Sequence, residues 1–262
     1  MMWTTRQRSE ISGQSAIVAG EGPPVLLLHG VGLRADAWGA QLDALSQNAR
    51  VVAPDMAGHG EKCLDALQME LSDYITAAGK VLQSFDGKAV LVGHSMGAMI
   101  ALALAEQMPE RVGGVAALNA VFERSPEAAA SVQVRASSLD GKTIADPSDT
   151  LQRWFGPAAS PERAVCWHWL NTIDPAAYKL AYSAFATSKT PGRKLLSQIQ
   201  CPALFMTGSL EPNSTPAMSQ AMAELAPQGQ AVIVEGAAHM MPMTHPNQVN
   251  AALTDFMKGC AT

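Results

Sequence analysis

Residues 89–99 read Ala-Val-Leu-Val-Gly-His-Ser-Met-Gly-Ala-Met, and this stretch decides the fold. Its first four residues are apolar and favour a buried strand, whereas the segment from Met96 to Met108 has helical composition. Gly93, Ser95 and Gly97 form the pattern G-x-S-x-G at the turn between strand and helix. A turn of this kind strains the serine backbone and exposes its hydroxyl, and the glycines let strand and helix approach closely. The stretch therefore predicts a nucleophilic Ser95. Without its strand–helix context, the pattern would indicate only a glycine-rich turn with a capping serine.

The segments around this stretch alternate between two kinds of pattern. Short apolar runs bounded by turn residues predict strands at Val25–His29, Val51–Asp55, Ala89–His94, Val115–Asn119, Ala203–Thr207 and Ala231–Glu235. Helical patterns lie between them, at Ala35–Gln47, Leu71–Phe85, Met96–Met108, Ala217–Leu225 and Pro246–Met257. Strands that alternate with helices form parallel sheets covered on both faces. We predict an α/β fold with a mostly parallel, roughly eight-stranded sheet, in which Ile11–Ala19 supplies antiparallel edge strands.

The alternation breaks once, between about Phe122 and Gln200, where the pattern is that of short helices interrupted by prolines. We predict a catalytic core formed by residues 1–121 and 199–262, with a helical cap of residues 122–198 inserted after the sixth strand. The cap is rich in aromatic side chains, which suit an apolar ligand or simply pack the cap on the sheet. Our candidates for a substrate pocket are Trp154, Trp167, Tyr178, Tyr182 and Met240.

Composition excludes several classes of function. The 262-residue chain carries a formal net charge of −5, which argues against a nucleic-acid partner. Its longest apolar runs fall far short of the ~20 residues needed to span a bilayer, and its start lacks a secretory signal pattern. The four cysteines, Cys63, Cys166, Cys201 and Cys260, are scattered as reduced thiols of a cytosolic protein would be. We expect a cytoplasmic protein with no membrane contact, no metal and no cofactor.

A serine nucleophile needs a base and a group that orients this base. Of six histidines, His239 is the best placed, because it follows the last predicted strand through small residues and can reach the edge that holds Ser95. Glu211 is the acid that follows the strand after the cap, and a solvated loop charge is the competing interpretation. Asn119 ends the preceding strand near another plausible acid position but carries no charge. The backbone N–H groups of Val31 and Met96 are the candidate oxyanion donors.

These segments together resemble the α/β-hydrolase fold. The similarity covers nearly the whole chain outside the cap and rests on the motifs His29-Gly30, Asp55–Gly60 and Gly93–Gly97, followed in order by Glu211 and His239. The resemblance implies a triad of Ser95, His239 and Glu211, with Val31 and Met96 as the oxyanion hole. Two features depart from the family pattern. Glutamate replaces the more usual aspartate, and Lys62 stands where a serine is common.

The resemblance also bears on the reaction. A serine at position 95 separates the chain from relatives with an aspartate nucleophile and favours acyl transfer to water. We expect a carboxylic-ester hydrolase, with lactone and thioester cleavage open. The alternative is C–C bond hydrolysis of meta-cleavage-type diketones, since the capped layout is similar to meta-cleavage product hydrolases. A non-catalytic small-ligand receptor is the alternative from another class. The cap holds nine basic and seven acidic residues, which favours a small, largely apolar substrate with a carboxylate and Arg124 or Arg153 as its partner.

Overall fold

The structure is a computed structural model that describes residues 5–61, 67–189 and 191–260. Lys62 and Cys63, singled out above, lie outside the described residues. The other three cysteines form no disulfide within this part of the chain. No helix among the described residues has both the length and the apolar character needed to cross a membrane.

A single eight-stranded sheet forms the centre of the molecule. Its spatial order is β1-β2-β4-β3-β5-β6-β7-β8, and the pairs β1–β2 and β2–β4 are antiparallel whereas the remaining pairs are parallel. The predicted α/β class, the mostly parallel sheet and the antiparallel edge are therefore confirmed. The strands are β1 (Ser9–Ile11), β2 (Gln14–Ala19), β3 (Pro24–Leu28), β4 (Arg50–Pro54), β5 (Ala89–His94), β6 (Val112–Leu118), β7 (Ala203–Gly208) and β8 (Gly229–Val234).

Eleven helices are found among the described residues. Two apolar clusters pack on the opposite faces of the sheet, so its central strands are buried on both sides. A 3₁₀ turn, Ala35–Trp38, precedes α1. The helices are α1 (Gly39–Leu45), α2 (Leu71–Gln83), α3 (Met96–Gln107), α4 (Pro126–Ser138), α5 (Ser148–Phe155), α6 (Pro161–Thr172), α7 (Pro175–Thr187), α8 (Arg193–Gln198), α9 (Pro216–Leu225), α10 (Met241–Thr244) and α11 (Pro246–Met257).

Strand β6 begins at Val112, three residues before its predicted start at Val115. One of the two glycines at this start, Gly114, has a packing reason. A Cβ atom at Gly114 would overlap the side chain of Cys260, three residues after α11. A glycine in a strand often marks such a close approach.

Helices α4 to α8 lie between β6 and β7, and the structure shows no strand among the described residues of this insertion. The cap contacts the core at Gly32, in the loop after β3. Gly32 has φ +77°, and a Cβ atom there would lie 2.6 Å from Leu170 Cδ2 and 3.1 Å from Tyr178 Cε2. Glycine is thus required at this position both by its backbone conformation and by its contact with the cap. The boundaries given above for the cap stay a prediction.

Candidate active site

Ser95 occupies a tight turn between β5 and α3. Its backbone has φ 56° and ψ −118°, a conformation that a non-glycine residue rarely adopts. The turn is held by a hydrogen bond from the Ser95 N–H to the Leu118 carbonyl of β6, at 2.9 Å. A Cβ atom at Gly93 would overlap the Gly97 carbonyl, and one at Gly97 would overlap the Leu28 carbonyl. The two glycines of the motif are therefore required by close backbone approach, as the sequence pattern predicts.

His239 and Glu211 form a hydrogen-bonded pair. His239 Nδ1 lies 2.7 Å from Glu211 Oε2, and the side-chain exposures are 12% and 0%. Because the carboxylate can only accept, Nδ1 carries a proton and Nε2 is left with a free lone pair. A neutral histidine in this tautomer is suited to accept a proton from a hydroxyl. The Ser95 hydroxyl makes no hydrogen bond to another described residue.

The Glu211 carboxylate is held by four donors. Besides His239, its Oε2 accepts from Asn119 Nδ2 at 3.2 Å, and its Oε1 accepts from the backbone N–H groups of Asn213 and Ser214 at 2.8 and 3.3 Å. Burial by itself would raise the pKa of Glu211, but the electrostatic interaction with His239 and these hydrogen bonds outweigh it and lower the pKa to about 2. The side chain is therefore ionised at neutral pH.

Asn119 joins this arrangement from the end of β6. Its backbone has φ +51°, and its Nδ2 donates to Thr207 Oγ1 at 3.2 Å as well as to Glu211. The Oδ1 atom is buried without a hydrogen-bond partner among the described residues. Its position after a parallel strand brings Asn119 to the acid, and its role is to position that carboxylate.

His94 precedes the serine and contacts the loop of the base. Its Nε2 lies 2.8 Å from the His239 carbonyl oxygen, and the two rings lie 4.8 Å apart. Burial, with a smaller electrostatic effect of His239, lowers the pKa of His94 to about 3. His94 is thus neutral and donates to the His239 carbonyl, which fixes the backbone of that loop.

Two backbone N–H groups next to Ser95 are available for an oxyanion. Met96 is the first residue of α3, so its N–H has no carbonyl one turn earlier in the helix. Val31 lies in the loop after β3, and its N–H donates no hydrogen bond within the described part of the chain. The loop approaches the serine closely, because a Cβ atom at Gly30 would lie 3.1 Å from Ser95 Cβ. This geometry is compatible with the predicted pair of donors.

Two buried histidines hold the Val31 loop. His29 Nε2 accepts from the Met56 N–H and His59 Nε2 from the Gly32 N–H, each at 3.0 Å. Burial lowers the pKa of both histidines, to about 3 for His59, so both are neutral and able to accept. They shape the loop, and neither forms a hydrogen bond with Ser95.

A buried ion network supports the same region and was not predicted. Arg8 pairs with Asp36 at 2.5 Å and with Asp55 at 3.1 Å, and all three side chains are at most 5% exposed. Asp55 Oδ1 also accepts from the Ala35 N–H at 2.8 Å. A Cβ atom at Gly60 would overlap the Asp55 carboxylate. The Asp55–Gly60 motif is therefore structural, since it anchors the N-terminal segment and the turn that precedes α1.

The structure brings some of the pocket candidates to this site. The Trp154 ring stacks on the His239 ring with centroids 5.7 Å apart, and Tyr178 packs on Gly32 beside Val31. Tyr182 is one turn further along α7 and contacts Tyr178, with ring centroids 6.0 Å apart. Met240 is buried and lines a small cavity with His29, Trp38 and His94.

Trp167 does not join the other candidates, so its role as a pocket residue stays a prediction. Its side chain is 53% exposed, whereas Trp169, two residues later on α6, is buried and lies under the Arg34 guanidinium. Residues two apart on a helix do not share a face. Trp167 therefore lies on the solvent side of the cap helix. Of the two arginines proposed as carboxylate partners, Arg124 is half-buried and Arg153 is exposed.

Comparison with known proteins identifies the family. A relative from Acinetobacter baylyi, (E)-2-((N-methylformamido)methylene)succinate hydrolase, is 36% identical over 244 residues, which cover 91% of this chain and 92% of that protein. The structure of a thermophilic esterase from Thermogutta terrifontis with malate bound is similar with a TM-score of 0.83, at 26% identity over 96% of each chain. The structure of E-2-(acetamidomethylene)succinate hydrolase shares the fold with a TM-score of 0.78, at 20% identity over 94% of this chain and 95% of that one.

The model of the alpha/beta hydrolase family matches residues 25–252, a range that includes the Ser95 turn, Glu211 and His239. The match begins in β3 and ends in α11, so it spans the parallel strands of the sheet. The chain belongs to the alpha/beta hydrolase family.

Proposed function

We propose that this protein is a serine hydrolase that cleaves a small carbonyl substrate through an acyl-enzyme on Ser95. The observation that carries the proposal is the pair of His239 and Glu211, 2.7 Å apart, in the tautomer that leaves His239 Nε2 free to accept a proton. The strained Ser95 turn beside two available backbone N–H groups supports it.

The proposed reaction has two steps. His239 Nε2 takes the Ser95 proton as Oγ attacks the carbonyl carbon, and the N–H groups of Val31 and Met96 bind the oxyanion. The protonated histidine then gives its proton to the leaving group. A water molecule, activated by the same nitrogen, attacks the acyl-enzyme and releases the acid. Glu211 remains ionised throughout and stabilises the imidazolium.

We propose an ester as the substrate class and a carboxylate as one of its groups. The Acinetobacter baylyi relative acts on a substituted succinate, which carries two carboxyl groups, and its substrate also has an N-methylformamido group. The substrate panel should therefore hold simple esters, lactones and thioesters together with an acylaminomethylene succinate. A meta-cleavage-type diketone tests the C–C bond alternative.

Labelling with a fluorophosphonate tests the proposal. The expected result is covalent labelling of the wild-type protein and none of Ser95→Ala. Ser197→Ala is the matched control, because the hydroxyl of this exposed serine of α8 donates to the Lys194 carbonyl and to no other described residue; this variant should label as the wild type does. Loss of 4-nitrophenyl acetate hydrolysis in Ser95→Ala should accompany loss of labelling. An unlabelled wild-type protein, or an active Ser95→Ala variant, would overturn the hydrolase proposal and favour a receptor.

A further inference from the structure

Two cap arginines lack the acidic partner that half-buried guanidinium groups usually have. Arg124, which follows β6, makes no ion pair with a described residue, and its Nη2 atom is buried without a hydrogen-bond partner. Arg135 on α4 has no ion pair within the described ranges either, and its Nε is buried and unpartnered. A desolvated cation without a counter-charge costs stability. The two unpaired arginines therefore indicate that a bound anion, rather than a group of the protein, supplies the counter-charge.

Both arginines converge on the same aromatic surface. The Arg124 guanidinium lies 4.4 Å from the Phe185 ring centroid and that of Arg135 lies 5.4 Å from the Tyr182 ring centroid, on α7. Burial raises the pKa of the Tyr182 hydroxyl, and the positive charges of Arg135, Arg153 and Arg124 oppose this. The charges of all three arginines therefore act on one hydroxyl group.

Acidic residues near these arginines do not neutralise them. Glu123 is adjacent to Arg124 in sequence, but its carboxylate bonds Arg193 at 2.7 Å on the exposed side of the cap. Asp149 is close enough to influence Arg135 electrostatically, yet no ion pair joins them. Arg135 instead donates to Thr150 Oγ1 at 2.7 Å. The positive charge on this side of the cap is thus left for a ligand.

Helix α5 connects the arginines to the candidate active site. Thr150 accepts hydrogen bonds from Arg135 and Arg153, and Trp154, four residues later, stacks on His239. Residues four apart lie on one face of a helix with a rise of ~6 Å between them. Tyr178, which also interacts with Arg135, packs on Gly32 beside the Val31 N–H. Two separate contact paths therefore lead from Arg135 to the candidate catalytic groups.

We propose that Arg124 and Arg135, together with the hydroxyl of Tyr182, form a subsite that binds a carboxylate of the substrate. This inference rests on the proposed function, because it describes how the same site recognises its substrate. A guanidinium presents paired N–H donors that match a carboxylate, and partial burial strengthens such hydrogen bonds. Arg153, which is exposed, lies at the rim of the subsite.

Succinate and its neutral dimethyl ester are the probes, and binding is measured by calorimetry on Ser95→Ala. In this background we expect succinate to bind in the millimolar range or tighter and at least about 10-fold more tightly than dimethyl succinate. Arg124→Gln and Arg135→Gln should each lower this preference by about 10- to 100-fold, because each removes a charged hydrogen bond. Lys142→Gln, which removes an exposed cap charge, should leave the preference unchanged. Arg124→Lys keeps the charge without the paired donors, so its preference for succinate should lie between that of the Ser95→Ala background and that of Arg124→Gln.

Three outcomes of these binding measurements would overturn the inference. It fails if succinate does not bind at millimolar concentration, if the arginine variants keep the preference, or if Lys142→Gln lowers it as much as they do. The comparison of succinate with its ester in Ser95→Ala alone tests the inference even if an arginine variant does not fold. Since Ser95→Ala binds without reacting, loss of the preference contradicts the subsite, whereas absence of fluorophosphonate labelling contradicts the hydrolase.

Discussion

Replacing Glu211 by glutamine is the sharpest test of the candidate triad, because all four groups around the carboxylate are donors. The backbone N–H groups of Asn213 and Ser214 face Oε1, and His239 and Asn119 face Oε2. The glutamine oxygen will occupy the Oε1 position, since two backbone donors cannot turn away. Its NH₂ group must then face His239 Nδ1.

This forced orientation inverts the tautomer of the base. The NH₂ group can only donate, so His239 Nδ1 must accept and its proton moves to Nε2, which then has no lone pair for the Ser95 proton. Asn119 adapts by a flip of its amide, which turns the unpartnered Oδ1 atom toward the new donor. The fold should therefore survive while the chemistry is lost. An amide in place of the triad carboxylate costs serine proteases about 10⁴-fold in kcat, or ~5 kcal/mol in the barrier.

We expect Glu211→Gln to lower kcat for 4-nitrophenyl acetate by about 10³- to 10⁴-fold. Urea unfolding should show a stability within about 3 kcal/mol of the wild type, because the geometry of the site is kept. Glu235→Gln is the matched control, since the carboxylate of this exposed glutamate accepts from Ser209 Oγ and from no other group in the described part of the chain, and its kcat should equal that of the wild type. A Glu211→Gln variant that keeps more than about a tenth of wild-type kcat would refute the role of the carboxylate.

Three further predictions concern stability. Arg8→Met should lower the free energy of unfolding by about 3–5 kcal/mol in urea titrations, because it leaves two buried carboxylates without their cation; a loss under 1 kcal/mol would contradict this. Gly32→Ala should lower the melting temperature more than Gly156→Ala, because both glycines have positive φ but an added Cβ would overlap Leu170 at Gly32 and would meet nothing within 4 Å at Gly156; equal losses would contradict the contact between Gly32 and the cap. Burial lowers the pKa of His29, His59 and His94, so the folded protein keeps these histidines neutral whereas the unfolded chain takes up protons there below pH 6.5. The free energy of unfolding should therefore fall by up to about 4 kcal/mol per pH unit below pH 6.5. A flat stability profile between pH 7 and pH 5 would contradict the burial of these histidines as neutral groups.

The fold was predictable because its signals are local. Gly93, Ser95 and Gly97 lie within five residues, and each strand is a short apolar run whose neighbours in the sheet follow from the alternation. The groups that support the site are instead far apart in sequence. Arg8 and Asp55 are separated by 47 residues, and Asn119 and Glu211 by 92. No local pattern indicates that such residues meet, although a charged residue near a motif is a reason to look for a partner.

Trp167 shows a second limit. Composition places aromatic residues in the cap, but the orientation of each depends on the rotation of its helix about its own axis. Trp167 and Trp169 are equivalent by composition, yet the first is exposed and the second is buried against the core. That rotation is set by contacts with Arg34 and its neighbours in the loop after β3. The rotation of the helix therefore depends on tertiary packing and cannot be inferred from composition.

The cap contacts both halves of the candidate catalytic machinery, which constrains how cap variants should be interpreted. Tyr178 packs on Gly32 beside one oxyanion donor, and Trp154 stacks on the base. A substitution that shifts either helix therefore changes the geometry of the chemical step as well as the binding of substrate. KM alone cannot report recognition in such a protein, because KM equals a dissociation constant only when chemistry is slow. Substrate recognition by the cap has to be measured as ligand binding in a variant such as Ser95→Ala, where the chemical step is absent.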